Sequence, residues 1–369
     1  MGQSRDTTLI VKRIKKMNNF LLLNALAICA ISLATIYSAT ISRTATFFRK
    51  EIIWLLISIC AYILFSFIDY KKYGKYYKII YLFNVLLLIS VYVVGITRKG
   101  ASRWIGIGSF TVQPSEFAKL FIILTFAEFL VINYRERFDG MKSLIYSGLH
   151  VLPIFILILN QPDLGTSLVL MVIYVVLIFV HGIDWKLIVL MIFSVIVSVP
   201  IVYFLILKDY QKMRIITFLN PEANLLDSGW NVIQSMIAIG SGGIYGKGFM
   251  NNTQSKLRFL PESHTDFIGS VFLEERGLIG GIILLGLYFI LLMQILQIAD
   301  TTEDKYGKLI CYGIASIFFF HIVVNIGMTM GIMPVTGLPL LFMSYGGSSL
   351  LFSFMMLGIV QSVKIYRGE

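Results

Sequence analysis

Four side chains that can exchange protons or hydrogen bonds fall within five residues of this chain. Glu262, His264, Thr265 and Asp266 end a long polar segment and directly precede an apolar stretch. Carboxylate and imidazole groups are typical general acids and bases, so the cluster could move a proton during a group-transfer reaction. A structural alternative accounts for part of it, because Thr265 could cap the next helix with Asp266 in its first turn.

Basic residues are predicted to share one compartment with this cluster. They are Arg103, Lys119, Arg214, Lys247, Lys256 and Arg258. A cationic cavity that also holds one or two carboxylates suits a substrate with phosphate groups. A solvated basic loop is an equally good interpretation of Arg103, Arg214 and Lys247. These residues alone do not distinguish an enzyme from a transporter.

A second group lies at the start of a predicted helix. Pro114 suits the first helical turn, where its missing N–H is no loss, and Glu116 then lies near the positive helix end. Lys119 falls on the same face one turn later, so capping with a local ion pair is the simpler interpretation of Glu116. A lysine at membrane depth needs a partner. Asp163, which follows Pro162, is interpreted first as a helix cap.

The composition indicates which kind of scaffold carries these side chains. The 369 residues are 57% hydrophobic and 14% charged, with a mean hydropathy of +0.82, whereas soluble domains carry about 25% charged residues. Apolar stretches long enough to cross a bilayer recur along the chain. A soluble enzyme, a disordered chain and a disulfide scaffold are therefore excluded. The net charge of +11 is attributed to basic cytoplasmic loops and not to nucleic acid binding.

Hydropathy predicts an all-α polytopic membrane protein with about ten transmembrane helices. Their predicted bounds are 18–38, 51–69, 78–96, 114–133, 144–160, 164–181, 185–207, 265–298, 307–330 and 340–363. The eighth helix is long and its clean apolar part is 277–298, so 265–276 is interpreted as a partly buried segment that leads into it.

The distribution of Lys and Arg predicts the orientation in the membrane. Basic residues concentrate in the N-terminal segment, in the loops after the even-numbered helices and at the C-terminus. Both termini are therefore expected in the cytoplasm. The segments 97–113 and 208–264 are then extracytoplasmic. The second is a long loop between helices 7 and 8, interpreted as ordered and functional, inside a single transmembrane domain that comprises 1–369.

Several stretches resemble the SEDS (shape, elongation, division and sporulation) family. They are residues 100–105, 113–119, 161–166, 239–248, 259–268, 334–339 and 344–349. They occur in the family's order, and the ten-helix layout is similar as well. Gln161 and residues 246–248 and 259–262 resemble the RodA branch more than the FtsW branch. The chain departs from the family pattern at residues 229–231, where a substrate-loop contact is affected, and at Gly269 and Leu341.

The resemblance implies a peptidoglycan glycosyltransferase that polymerises lipid II at the outer face of the bacterial cytoplasmic membrane, in cell elongation and shape. The family's essential aspartate corresponds to Asp266, and its lysine placed to pair with that aspartate corresponds to Lys119. Asp266 is expected to be the general base of an inverting displacement. Substrate binding is assigned to Arg103, Gln113, Ser115, Glu116, Arg214, Gln234, Lys247, Glu262, His264 and Thr265.

Asp266 has a second interpretation as a ligand of a divalent cation, Mg²⁺ or Mn²⁺, against the substrate pyrophosphate; no other cofactor is expected. The resemblance implies three kinds of partner, namely lipid II, a class B penicillin-binding transpeptidase and other membrane proteins of the elongation complex. Nucleic acid is not expected as a partner. The alternatives are a lipid II flippase, an FtsW-like role in division and a scaffold for wall synthesis. A polymerisation assay distinguishes the enzyme from the flippase.

Overall fold

The computed structural model describes residues 13, 16–41, 44–98, 101–107, 110–134, 140–207, 209–224 and 228–367. Helices dominate this part of the chain. They are α1 Asn19–Thr40, α2 Thr46–Phe67, α3 Lys71–Lys75, α4 Tyr77–Val94, α5 Pro114–Asn133, α6 Gly140–Asn160, α7 Leu164–His181, α8 Trp185–Ile201, α9 Asp209–Leu219, α10 Ser228–Gly242, α11 Thr253–Lys256, α12 Ile268–Asp300, α13 Lys305–Thr329 and α14 Gly347–Tyr366.

Nine helices in the described ranges are long and apolar enough to cross a membrane: α1, α2, α4, α6, α7, α8 with its continuation to Leu205, α12, α13 and α14. The remaining long helix is α5, whose 20 residues include Glu116, Lys119 and Glu128. Each of the ten predicted spans has a counterpart among these ten helices, which confirms a polytopic helical membrane protein. The side of the membrane that each terminus faces stays a prediction.

A small antiparallel sheet precedes α5, although the sequence predicted an all-α protein. Its strands are β1 Ile96–Arg98, β2 Ala101–Ile107 and β3 Phe110–Val112, in the order β1-β2-β3. Trp104 is paired with Ile96, and Ile105 with Val112. Such short strands leave too few alternating residues for a pattern to be recognised.

The segment between α8 and α12, predicted as a long ordered loop, is largely helical. It contains α9, α10, α11 and a 3₁₀ turn at Pro221–Asn224. α10 packs against α12, where Ser235 Oγ lies 2.6 Å from Ser270 Oγ and donates to the carbonyl of Thr329 at 2.6 Å. This segment is therefore joined to the helices by buried hydrogen bonds.

α12 is interrupted at Gly277, which has φ 63° and ψ −163°. The interruption falls at the predicted boundary between 265–276 and 277–298. The backbone N–H groups of Lys247 and Gly248 donate to the carbonyls of Glu274 and Glu275, each at 3.0 Å. A Cβ atom on Gly277 would lie 2.4 Å from the backbone nitrogen of Gly246, so only glycine fits this close approach.

Residues 330–346, called here the α13–α14 loop, are irregular, and residues 338 and 340–344 in its second half are buried. The sequence predicted that the last helix begins at 340, but α14 begins at Gly347. Pro339 lacks an N–H, and side chains from other helices bind the loop carbonyls. Tyr288 Oη donates to Leu341 O at 2.6 Å, and Ser32 Oγ donates to Met343 O at 2.7 Å. Irregular backbone at membrane depth is stable only when it is enclosed by protein in this way.

Candidate functional site

Asp266 lies in the turn that leads into α12. Glu262 begins this turn with a positive φ of 51°, and its carbonyl accepts hydrogen bonds from the N–H groups of Thr265 at 3.1 Å and Phe267 at 3.3 Å. Phe267 and Ile268 are fully buried and anchor the turn, whereas Asp266 is half-buried. The turn therefore holds a carboxylate at the boundary of the packed core.

The backbone of Asp266 is fixed by α13. Asn325 Nδ2 donates to Asp266 O at 3.0 Å and to Leu338 O at 2.8 Å, so one buried amide joins the turn to the α13–α14 loop. Gly337, with a φ of 76°, faces the carboxylate. A Cβ atom there would lie 4.0 Å from Asp266 Oδ2. The positive φ favours glycine, so a side chain at this position would strain the backbone.

The ammonium of Lys119 is completely buried. It lies 3.0 Å from Glu116 Oε2 and 3.1 Å from His321 Nε2, with the Phe352 ring centroid 4.8 Å away. The predicted pairing of Lys119 with Asp266 is therefore corrected: Glu116 and His321 are its direct partners. The physical reason is reach, because Glu116 lies one turn away on the same helix face and already offers the negative charge that a buried ammonium needs.

Lys119 and Asp266 are nevertheless joined through the same loop. His321 Nδ1 lies 2.9 Å from the carbonyl of Pro339, and Arg214 Nη1 donates to the carbonyl of Thr336 at 3.3 Å. Residues 336–339 are therefore bound by side chains of α9 and α13 and also lie beside the Asp266 turn. Lys119 of α5 reaches them through His321. We call this arrangement the Asp266 site; it consists of Asp266, Glu116, Lys119, Arg214, His321, Asn325 and residues 336–339.

A second acidic residue, Asp163, is surrounded by donors. Its Oδ2 atom accepts from Gln113 Nε2 at 2.9 Å, from Ser115 Oγ at 3.0 Å and from Thr166 Oγ1 at 3.0 Å. Its Oδ1 atom accepts from Thr166 N at 3.2 Å and lies 3.9 Å from Arg103 Nη1. The helix-capping interpretation of Asp163 is confirmed. We call these five residues the Asp163 cluster.

Three residues predicted to bind substrate belong to the Asp163 cluster. Gln113 and Ser115 donate to the carboxylate, and Arg103 also donates to the backbone carbonyls of Gln161 and Pro162. Their polar groups therefore hold the turn between α6 and α7. A role for them in substrate binding stays a prediction.

The other predicted residues divide between the Asp266 turn and its surroundings. Thr265 Oγ1 donates to Glu262 Oε2 at 3.0 Å, and the His264 ring packs against Phe47 and Tyr345 at centroid distances of 4.7 and 5.6 Å. These contacts shape the turn that presents Asp266.

Two further predicted residues lie away from the carboxylate. Gln234 is buried in α10. Lys247 Nζ donates to Glu274 Oε1 at 2.7 Å and to Thr253 Oγ1 at 3.0 Å. Glu274 is fully buried, so Lys247 supplies its compensating charge. Substrate contacts by Gln234 and Lys247 stay predictions.

Sequence reasoning did not single out His321 or Asn325, and it noted Gly337 only as part of the stretch 334–339. The signal was present, because an imidazole and an amide four residues apart interrupt an otherwise apolar helix, and polar groups at membrane depth are costly unless they are partnered. Their partners lie in the α13–α14 loop and in α5, which no local pattern connects.

The predicted divalent cation concerns the Asp266 carboxylate. Within the ranges that the structure describes, no group of three or more His, Cys, Asp or Glu side chains could hold an ion. Mg²⁺ commonly takes one or two carboxylates together with phosphate oxygens. Asp266 could supply the protein carboxylate in such an arrangement. A divalent cation at Asp266 stays a prediction.

Comparisons with known proteins agree with the resemblance. The model of the FtsW/RodA/SpoVE family, described as cell cycle proteins, matches residues 15–369. The peptidoglycan glycosyltransferase RodA of Treponema pallidum is 35% identical over 95% of this chain and 99% of its own length. The peptidoglycan glycosyltransferase MrdB of Escherichia coli K12 is 38% identical, over 94% of this chain and 93% of its own.

Two solved structures share the fold over nearly the whole chain. One, described as structural coordination of polymerization and crosslinking by a peptidoglycan synthase complex, has a TM-score of 0.83 at 30% identity and covers 96% of this chain and 99% of its own. The other is the rod shape determining protein RodA of Thermus thermophilus, with a TM-score of 0.72 at 29% identity over 96% and 98% of the two chains. This chain belongs to the FtsW/RodA/SpoVE family.

Proposed function

We propose that this chain is a peptidoglycan glycosyltransferase that polymerises lipid II during cell elongation. Two relatives, at 35% and 38% identity, carry peptidoglycan glycosyltransferase in their names. The observation that carries the catalytic assignment is the half-buried Asp266 carboxylate, whose backbone is bound by Asn325 beside the buried Lys119 network. A fixed carboxylate at the edge of the packed core is the arrangement that a general base requires.

In the proposed reaction, Asp266 takes the proton from the C4 hydroxyl of the acceptor N-acetylglucosamine. The freed oxygen forms a bond to C1 of the donor N-acetylmuramic acid, while the bond from C1 to the pyrophosphate oxygen breaks. The lipid pyrophosphate leaves with the electron pair and the anomeric centre inverts. The proton later passes from Asp266 to water. General base catalysis of this kind typically contributes about 10²–10⁴-fold to the rate.

The charged residues of the site divide into two roles. Arg214 is half-buried beside residue 336, and we assign it to the pyrophosphate, because a guanidinium stabilises charge on a phosphate leaving group. Lys119 is neutralised by Glu116 and acts by positioning. Arg103 and Lys247 compensate buried carboxylates, so we place them in the scaffold.

The proposal includes a location and a partner. Basic residues in the termini and in alternate loops favour cytoplasmic termini, and with that orientation we propose that the Asp266 turn lies at the outer face of the bacterial cytoplasmic membrane. A structural relative belongs to a peptidoglycan synthase complex that coordinates polymerization and crosslinking. A class B penicillin-binding transpeptidase is accordingly the proposed partner, with other membrane proteins of the elongation complex around it.

A divalent cation is the alternative use of the same carboxylate. Mg²⁺ or Mn²⁺ at Asp266 would supply charge compensation for the leaving pyrophosphate. Polymerisation measured after chelation, and again after each metal is restored, separates the two readings. A rate that survives chelation leaves Asp266 as a base alone, whereas a rate that returns only with metal assigns Asp266 to the cation.

The test of the function uses the purified chain in detergent micelles with lipid II, with and without the transpeptidase. Micelles have no two compartments, so a flippase would generate no product and a polymerase would generate glycan strands. The matched controls are Asp266→Asn and Glu303→Gln, the second an exposed carboxylate outside the Asp266 site. Strands from the wild type and Glu303→Gln, with none from Asp266→Asn, support the proposal. Lipid II that stays monomeric with every preparation contradicts it.

A further inference from the structure

His321 and Asn325 are two fully buried polar residues in the C-terminal half of α13. They are four residues apart, so they lie on the same face of the helix. The proposed chemistry uses neither side chain directly. Burying such groups at membrane depth is unfavourable unless each finds a partner, and both find partners in the Asp266 site.

The hydrogen bonds define the state of the His321 ring. A carbonyl oxygen can only accept, so His321 Nδ1, 2.9 Å from Pro339 O, carries the hydrogen. Nε2 lies 3.1 Å from the Lys119 ammonium, which can only donate, so Nε2 accepts. The imidazole is therefore neutral, in one tautomer, and oriented from both sides.

The contacts continue from His321 to the carboxylate. Pro339 is bound by His321, Leu338 O is bound by Asn325, and Gly337 faces Asp266 Oδ2. The same Asn325 amide binds the carbonyl of Asp266. Three consecutive residues of the α13–α14 loop thus lie between the buried ammonium and the carboxylate.

We propose that His321 is a positioning residue that holds residues 337–339 against Asp266 and so transmits the placement of Lys119 to the carboxylate. The kinetic consequence of this proposal rests on the glycosyltransferase function proposed above. Its structural consequence, a loop that loosens when the imidazole is lost, is independent of that function.

The conservative variant is His321→Gln. A glutamine amide can accept from Lys119 through its oxygen and donate to Pro339 O through its nitrogen, which reproduces both hydrogen bonds. His321→Leu reproduces neither. We expect kcat for lipid II polymerisation to fall about 10²-fold in His321→Leu with KM unchanged, because a displacement near 1 Å at a reacting group has effects of that size. His321→Gln should retain most of the wild-type kcat.

A double variant separates transmission from simple packing. Because Lys119 acts through His321 in this proposal, Lys119→Met combined with His321→Leu should lower kcat no further than the more damaging single variant. Equal losses in His321→Gln and His321→Leu, or multiplicative losses in the double variant, would overturn the proposal. If His321→Leu does not yield folded protein, His321→Met supplies an apolar side chain of similar length.

Amide hydrogen exchange tests the same idea without activity. We expect faster exchange in His321→Leu at residues 340–344, where the N–H groups of Leu340, Met343 and Ser344 are hydrogen-bonded within the loop, and wild-type exchange in His321→Gln. Unchanged exchange in His321→Leu would refute the positioning role. If the wild type makes no glycan, the proposed function fails, and the exchange result still decides whether His321 holds the loop.

Discussion

Asp163 and Asp266 each lie immediately before a long helix, yet their surroundings differ. Asp163 is buried, and its two carboxylate oxygens accept four hydrogen bonds, from Gln113, Ser115 and Thr166. Asp266 is half-buried, and Asn325 binds its backbone carbonyl. The first carboxylate is used to join helices, whereas the second is presented at an edge by a rigid turn.

This difference separates a carboxylate that stabilises the fold from one that, in the proposed function, takes a proton from the substrate. The Asp163 carboxylate joins the start of α5 to the start of α7 through its hydrogen bonds, whereas the Asp266 carboxylate lies at the edge of the packed core beside Gly337. Arg103 also stabilises the fold, because it donates to the backbone carbonyls of Gln161 and Pro162 in the turn before α7. Residue type and nearby basic charge were similar at the two positions, and only burial and three-dimensional surroundings distinguish them.

The comparison predicts the largest contrast for the two Asp→Asn variants. Asp266→Asn should lower polymerisation by about 10²–10⁴-fold, the usual contribution of a general base, with an unchanged melting temperature. Asp163→Asn should lose about 1–3 kcal/mol of stability, because an amide NH2 group would face hydrogen-bond donors. The molecules of this variant that remain folded should polymerise lipid II at the wild-type rate. Thermal melting and glycan yield per folded molecule measure both. The comparison is wrong if the two variants show the same pattern.

Lys119→Met tests the buried network of the Asp266 site. Removing the ammonium leaves Glu116 buried without its ion pair, so we expect about 3–5 kcal/mol of destabilisation. Adding Glu116→Gln should restore stability, but turnover should stay about tenfold or more below wild type because the support of His321 is gone. A stable double variant with wild-type turnover would contradict the positioning role of Lys119.

Arg214→Gln probes the proposed pyrophosphate contact. We expect KM for lipid II to rise about tenfold, which corresponds to about 1.5 kcal/mol for one hydrogen bond to a charged group. Lys212→Gln, on the same helix α9, is the matched control and should leave KM unchanged. Equal changes in both variants would indicate a general effect of positive charge.

Lys247→Met should have the smallest effect on substrate kinetics. Thr253 still donates to Glu274 Oε1 through its N–H at 2.9 Å and its hydroxyl at 2.7 Å, so we expect a loss of about 1.5–3 kcal/mol in stability, the usual contribution of a hydrogen bond to a charged group, and unchanged KM. A clear rise in KM would return Lys247 to the substrate-binding residues predicted from the sequence.

The sequence predicted those features that local chemistry determines. Apolar length located the ten long helices, Pro114 and Asp163 marked two helix starts, and the change of pattern near Gly277 marked the break in α12. Each of these depends on residues close in the chain, so each leaves a readable local pattern.

The remaining features depend on distant partners. His321 meets Lys119 across 202 residues of sequence, and the α13–α14 loop stays irregular because side chains of α1, α12 and α13 bind its carbonyls. The loop's apolar residues resemble a helix start when taken alone. The pairing of Lys119 was misassigned for the same reason, since the competing partner His321 lies on another helix.

The most direct test of the central claim measures lipid II binding and product formation on one preparation of Asp266→Asn. Single-turnover polymerisation is followed beside the affinity for a fluorescent lipid II, with the wild type and Glu303→Gln as references. If Asp266 acts in the chemical step, the variant binds lipid II with wild-type affinity and forms no glycan bond. Glycan formation by Asp266→Asn at the wild-type rate would contradict the account.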